Sequence, residues 1–100
     1  MAQTLQLQLH IAQQQANELT DCLLAYQPGL VFSTSLMRDY QLSQGEMSAR
    51  EQVQGYQHAQ LYFIQVPADQ LEALLAYLRQ NLPRLVIQYQ VVPVLQSGRV

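Results

Sequence analysis

The sequence predicts an α+β fold of the ferredoxin-like βαββαβ type, a two-layer sandwich with a four-stranded antiparallel sheet and two helices on one face. Three observations predict it. Leu23-Leu24-Ala25-Tyr26, Pro28 and Leu30-Val31-Phe32 are echoed by Leu74-Leu75-Ala76-Tyr77, Pro83 and Leu85-Val86-Ile87. Each copy reads as a helix end, a break and a strand, and each is preceded by an apolar run of strand type, so the chain is two successive strand-helix-strand units. One hundred residues hold a single domain, 1–100, with one core.

Leu5, Leu7, Leu9 and Ile11 alternate with Gln6, Gln8 and His10, the period of a strand with one apolar face. From about Gln14 the spacing turns helical, with Ala16, Leu19, Leu23 and Tyr26 on one stripe and Pro28-Gly29 as the stop. Leu30 to about Tyr40 reads as the second strand. Residues 41–58 are polar, contain Gly45 and Gly55, and carry Glu46, Arg50 and Glu51, a long excursion where a hairpin would need only a tight turn.

The third strand, from Ala59 to Val66, is apolar on both faces: Leu61 and Phe63 on one, Tyr62, Ile64 and Val66 on the other. Pro67-Ala68-Asp69 opens the second helix, whose stripe of Leu71, Leu74, Leu75, Leu78 and Leu82 ends at Pro83. The fourth strand is expected from Leu85 to about Val92, with Leu85, Ile87, Tyr89 and Val91 opposed to Val86, Gln88, Gln90 and Val92, and Pro93 limits further pairing.

Charged residues make up 12% of the chain, about half the usual share, so polar surface must come from amides, chiefly glutamine. There is no lysine, and a formal net charge of −2 argues against the basic footprint of a nucleic-acid partner. A lone cysteine, Cys22, excludes an internal disulfide framework. The first ten residues offer neither a basic nor a continuous apolar region, and no apolar stretch reaches membrane-spanning length. The expectation is a cytoplasmic protein with no signal peptide and no direct membrane insertion.

Two right-handed crossovers place both helices on the same side of the sheet and leave the other side bare. Gln6, Gln8 and His10 fall on that bare face with Val86, Gln88, Gln90 and Val92, joined by an apolar row from the third strand. A glutamine amide can be buried if its donors and acceptors are paired, whereas a charge costs several kcal/mol. The absence of charge predicts that copies of the chain pack together there as a closed homo-oligomer; the competing reading is a face simply exposed to water.

Glu51-Gln52-Val53-Gln54-Gly55, Val66-Pro67-Ala68-Asp69-Gln70-Leu71, Tyr89, Val92-Pro93-Val94-Leu95 and Gly98-Arg99-Val100 together resemble the domain-of-unknown-function 3240 family, short bacterial proteins similar to PII signalling and CutA-type proteins. The likeness runs from the first strand to the tail. It implies a PII-like homotrimer whose long loops reach toward the clefts between neighbours, with genes often found beside heavy-metal efflux pumps and hence a membrane efflux-system protein as partner. The implied activity is regulatory or sensory: binding a small ligand or metal and passing that state on, not catalysis. The chain departs from the family in having Tyr56-Gln57-His58 where basic residues often follow the glycine, and Arg38-Asp39-Tyr40 where members carry histidine-containing turns. It also lacks a glycine- and lysine-rich phosphate loop, which argues against nucleotide binding.

Arg50, Glu51, Gln52, Gly55, Tyr56, His58 and Arg99 are the candidate ligand-binding residues, because forked donors, a carboxylate, an amide and an aromatic surface fall in segments that the implied trimer brings to a subunit boundary. The alternative is structural, an ion pair of Glu51 with Arg99 tying the loop base to the tail. No metal or cofactor is named: His10, Cys22 and His58 match no metal-ligand spacing, although Met37 or Met47 could join His58 around reduced copper. Ser33, Ser35, Ser43 and Ser48 lack a nucleophile elbow or a base held by a carboxylate. The alternatives to a binding module are a small enzyme of the dimeric α/β barrel type, with His10 or His58 as base and tyrosines lining the pocket, and a structural interaction subunit without ligand.

Overall fold

The computed structural model describes residues 3–27, 29–40 and 55–100. Strand β1 spans Thr4–Ala12 and passes through a 3-10 turn, Gln13–Gln15, into helix α1, Ala16–Leu24. Strand β2 is Phe32–Asp39 and β3 is Gln57–Pro67; a second 3-10 turn, Ala68–Gln70, leads into α2, Leu71–Asn81, and β4 is Gln88–Pro93. The sheet order is β2-β3-β1-β4 with every neighbouring pair antiparallel, which is the ferredoxin-like α+β arrangement.

The register decides which side chains meet the helices. Leu7 lies opposite Ile64 and Val91, and Leu9 opposite Tyr62 and Tyr89. Leu7, Leu9, Ile11, Tyr62, Ile64 and Val66 are buried in one cluster with Ala16, Leu19 and Leu23 of α1 and Leu74, Leu75 and Leu78 of α2. Because these strand residues share one face, both helices lie on it. Each fully buried leucine contributes about 2 kcal/mol relative to exposure, so the helical stripes and not the helix ends hold the layers together. Neither helix has a side-chain cap; Glu18, Glu72 and Arg79 instead complement the helix dipoles.

Polar atoms that enter this core are paired. The Tyr62 hydroxyl donates to the Ala16 carbonyl at 2.9 Å and accepts from Thr20 Oγ1 at 2.7 Å, pinning β3 to the start of α1. Burial pushes the Tyr62 phenol above its ordinary value, and the Thr20 bond opposes part of that rise. Tyr77 donates to the Cys22 carbonyl at 2.8 Å, and its ring meets Tyr26 edge-on at 4.7 Å.

Tyr26 and Tyr77 are the matching residues of the sequence echo, yet their settings differ. Tyr26 lies beyond the end of α1, whereas Tyr77 sits inside α2, which continues to Asn81. The echo therefore marks a helix end only in its first copy. Three strand limits also differ from expectation. β2 starts at Phe32, two residues later than the apolar run. β3 starts at Gln57, so Gln57 and His58 belong to a strand and not to the long connection. β4 starts at Gln88: residues 83–85 form a turn after α2, with the Leu85 amide bonded to the Leu82 carbonyl, and Leu85 and Ile87 reach the core from an irregular segment. Among the described residues no helix is long and apolar enough to cross a membrane.

Candidate functional site

The face without helices carries Gln6, Gln8 and His10 of β1, Leu61 and Phe63 of β3, and Gln88, Gln90 and Val92 of β4, by the alternation of paired residues. Leu61 and Phe63 supply its apolar row; Tyr62, Ile64 and Val66 turn to the core. The glutamines are linked across strands: Gln90 Nε2 donates to Gln8 Oε1 at 2.7 Å, and Gln8 Nε2 donates to Gln6 Oε1 at 2.8 Å. Ser33 and Ser35 pair with Phe63 and Leu61 and are exposed in β2.

At one end of this face, where β1 and β2 finish and β3 and β4 begin, lies a cleft of about 270 Å³. His10, Gln14, Gln15, Asp39, Gln57 and Gln88 supply its polar lining, and exposed Val86 forms part of the wall. His10 Nδ1 is buried and has no hydrogen-bond partner among the described residues. His10 also lines a smaller hollow with Gln88, Tyr89 and Gln90. Among the described residues no tyrosine lines the larger cleft, and Tyr89 lines the smaller hollow with His10.

The base of the β2–β3 connection is clamped by a second cluster. Arg38 pairs in register with His58, and its guanidinium sits 4.9 Å from the centre of the Tyr56 ring. Tyr56 meets His58 edge-on at 5.2 Å and Tyr40 at 5.5 Å. The next residues along each strand, Asp39 and Gln57, are also partners, and they face the cleft. One strand pair thus presents Arg38 and His58 to one side and Asp39 and Gln57 to the other.

Of the residues expected to bind a ligand, Tyr56 and His58 are brought together, with Gly55 in a left-handed conformation (φ +81°) immediately before them. Arg99 lies exposed in the tail after β4. Arg50, Glu51, Gln52 and Met47, and with them the supposed Glu51–Arg99 ion pair, lie outside the described residues. Cys22 is half-buried in α1. Among the described residues no group of three or more His, Cys, Asp or Glu side chains could hold a metal ion. The sequence reading did not select Arg38, Tyr40, Asp39, Gln57 or Gln88 as site residues. The one available signal was that Arg38 and Tyr40 close one strand as Tyr56 and His58 open the next.

Solved structures share this fold. A protein of the DUF3240 family from Shewanella baltica OS155 superposes with a TM-score of 0.77 at 21% identity, covering 100% of this chain and 99% of that one. A CPII from Thiomonas intermedia K12, solved bound to ADP, AMP and acetate, gives 0.63 at 14% identity over 98% of this chain and 91% of its own. CutA from Synechococcus elongatus PCC7942, solved in complex with Bis-Tris, gives 0.63 at 15% over 98% and 86%. No protein of curated function matches the chain in sequence. The family model described as a protein of unknown function, DUF3240, matches residues 1–100, and the chain belongs to that family.

Proposed function

We propose that this PII-like protein is a regulatory binding module. It assembles as a homotrimer through the bare face of its sheet, takes a small ligand at the end of that face, and passes occupancy to a partner protein through the segment between β2 and β3. It acts by binding and not by catalysis. The supporting observation is the shared strand pair: Asp39 and Gln57 line the cleft, while adjacent Arg38 and His58 pack with Tyr56 at the base of the connecting segment. A ligand that draws Asp39 and Gln57 together alters the twist of that pair, and with it the Arg38–Tyr56–His58 packing. The uncharged glutamine relay and the Leu61–Phe63 row support assembly, because this surface can be desolvated without burying an unpaired charge.

Two of the neighbours in fold are a CPII solved bound to ADP, AMP and acetate and a CutA solved with Bis-Tris, and these support the reading of a small ligand. A membrane efflux-system protein as the recipient of the signal, and a role in metal resistance in the cytoplasm, rest on the family resemblance. Mass in solution, followed by a thermal-shift screen against nickel, copper, zinc, cobalt, nucleotides and uncharged metabolites, tests the reading. A ligand at 100 times its Kd stabilises by about 2.7 kcal/mol, which raises Tm by roughly 10 °C or more for a domain of this size. A single-subunit mass at micromolar concentration together with no saturable rise for any compound refutes it.

A further inference from the structure

We infer that the cleft beside His10 takes a small uncharged molecule bearing amide or hydroxyl groups, and not a phosphate, a carboxylate or a metal ion. This rests on the binding reading above and names the chemistry of its ligand. The polar lining consists of four amides, Gln14, Gln15, Gln57 and Gln88, with one imidazole and the carboxylate of Asp39. Each amide offers donors and an acceptor side by side, the pattern that pairs with a carboxamide edge or a vicinal diol.

His10 adds a directional group. Its Nδ1 is buried without a partner among the described residues, and a bare lone pair is a cheaper orphan than a bare N–H. That assigns the ring proton to Nε2, the nitrogen left to act as a donor toward a ligand. Among the described residues the cleft is lined by amides, an imidazole and a carboxylate and by no arginine, so an anion finds no guanidinium donor among them. Among the described residues that line the cleft, a metal ion would meet His10 and Asp39 as charged or imidazole donors, fewer than the three or four that a site requires. At about 270 Å³ the cleft is at the small end of ligand sites, suited to a single ring or a short chain.

The test follows the ring carbon–proton signals of the two histidines in the intact protein labelled with ¹³C-histidine, assigned with His58→Gln. The uncharged probes are nicotinamide, myo-inositol and D-ribose; the charged ones are inorganic phosphate, AMP, putrescine and zinc. The expected result is a saturable shift of His10 with at least one uncharged probe and none with the charged ones. Gln57→Leu and Gln88→Leu, which keep the backbone ladder, are expected to weaken that probe at least tenfold, read from the His10 signal. Saturation of His10 by phosphate, AMP, putrescine or zinc alone overturns the ligand class and leaves a binding module standing. A thermal shift with a compound that leaves His10 unmoved overturns the location, and silence of every probe in both measurements overturns the ligand class and the binding reading together.

Discussion

Replacing Gln8 by glutamate tests whether the bare face of the sheet is a contact between subunits. The native Gln8 amide donates to Gln6 Oε1 at 2.8 Å and accepts from Gln90 Nε2 at 2.7 Å. A carboxylate keeps the acceptor and loses the donor, so two oxygens face each other across the 2.8 Å gap. On a wet face the new charge hydrates and the substitution costs within about 0.5 kcal/mol. In a closed interface each charge loses water with no cation beside it, a cost of several kcal/mol. At about 3 kcal/mol per subunit, association weakens roughly 100-fold for each copy.

Sedimentation equilibrium at micromolar concentration reads this directly. The variant is expected to run as a single subunit at pH 7 while the native protein runs as a trimer. Burial raises the pKa of the introduced carboxyl in the assembled state, so the assembly is weak above that value and recovers as pH falls through it, when the protonated group regains an O–H for Gln6 Oε1. Gln8→Met loses the hydrogen bonds without gaining a charge, and is expected to weaken assembly less and without pH dependence. A Gln8→Glu protein with the native mass at pH 7 refutes the argument, as does a native protein that sediments as one subunit.

Tyr62→Phe removes both hydroxyl bonds while Ala16 keeps its helical partner, and is expected to cost about 1–2 kcal/mol in urea denaturation; a loss near zero would show that the bridge from β3 to α1 is dispensable. The raised Tyr62 pKa means that the unfolded chain ionises first. Its contribution is complete below about pH 10 and is lost as pH climbs through the folded value, so the Phe variant should show a shallower alkaline decline in stability. Gly55→Ala has open space around the new methyl group but must hold φ near +81°, and should destabilise by about 1 kcal/mol, measured the same way; an unchanged midpoint would contradict a left-handed turn there. Arg38→Gln removes a cation–π contact of about 0.5–1 kcal/mol and should speed amide exchange of residues 55–58 by roughly two- to fivefold; unaltered exchange would remove the clamp from the proposed signalling route.

Periodicity settled much of the fold because β1 and the two helices each have one clear apolar stripe. Leu7, Leu9 and Ile11 alternate against glutamine and histidine, and Leu74, Leu75 and Leu78 recur at helical spacing; all six are buried as that pattern requires. β4 was less legible. Leu85 and Ile87 have strand-like spacing, but the turn after α2 uses up the residues that would have extended the ladder, and burial without pairing leaves the same apolar signature.

Much of the site was hidden for a different reason. Tyr56 and His58 could be singled out because they are the polar and aromatic residues nearest a long connection. Arg38 and Tyr40 come against them only through the pairing of β2 with β3, and nothing local to either strand states that register. The cleft is harder still, since His10, Asp39, Gln57 and Gln88 come from four strands that are far apart in the chain.

By itself the chain determined the order of its elements, the helical faces that seek burial and the uncharged polar face of β1, because these depend on spacing within a single strand or helix. Only the tertiary structure decided that Tyr62, Ile64 and Val66 turn inward while Leu61 and Phe63 turn out, and that His10 closes a cleft of amides. Both outcomes follow from β3 pairing with β1 so that Tyr62 stands opposite Leu9 and Leu61 opposite His10. A one-residue slip would exchange the two sets, and β3, apolar on both sides, carries no preference of its own.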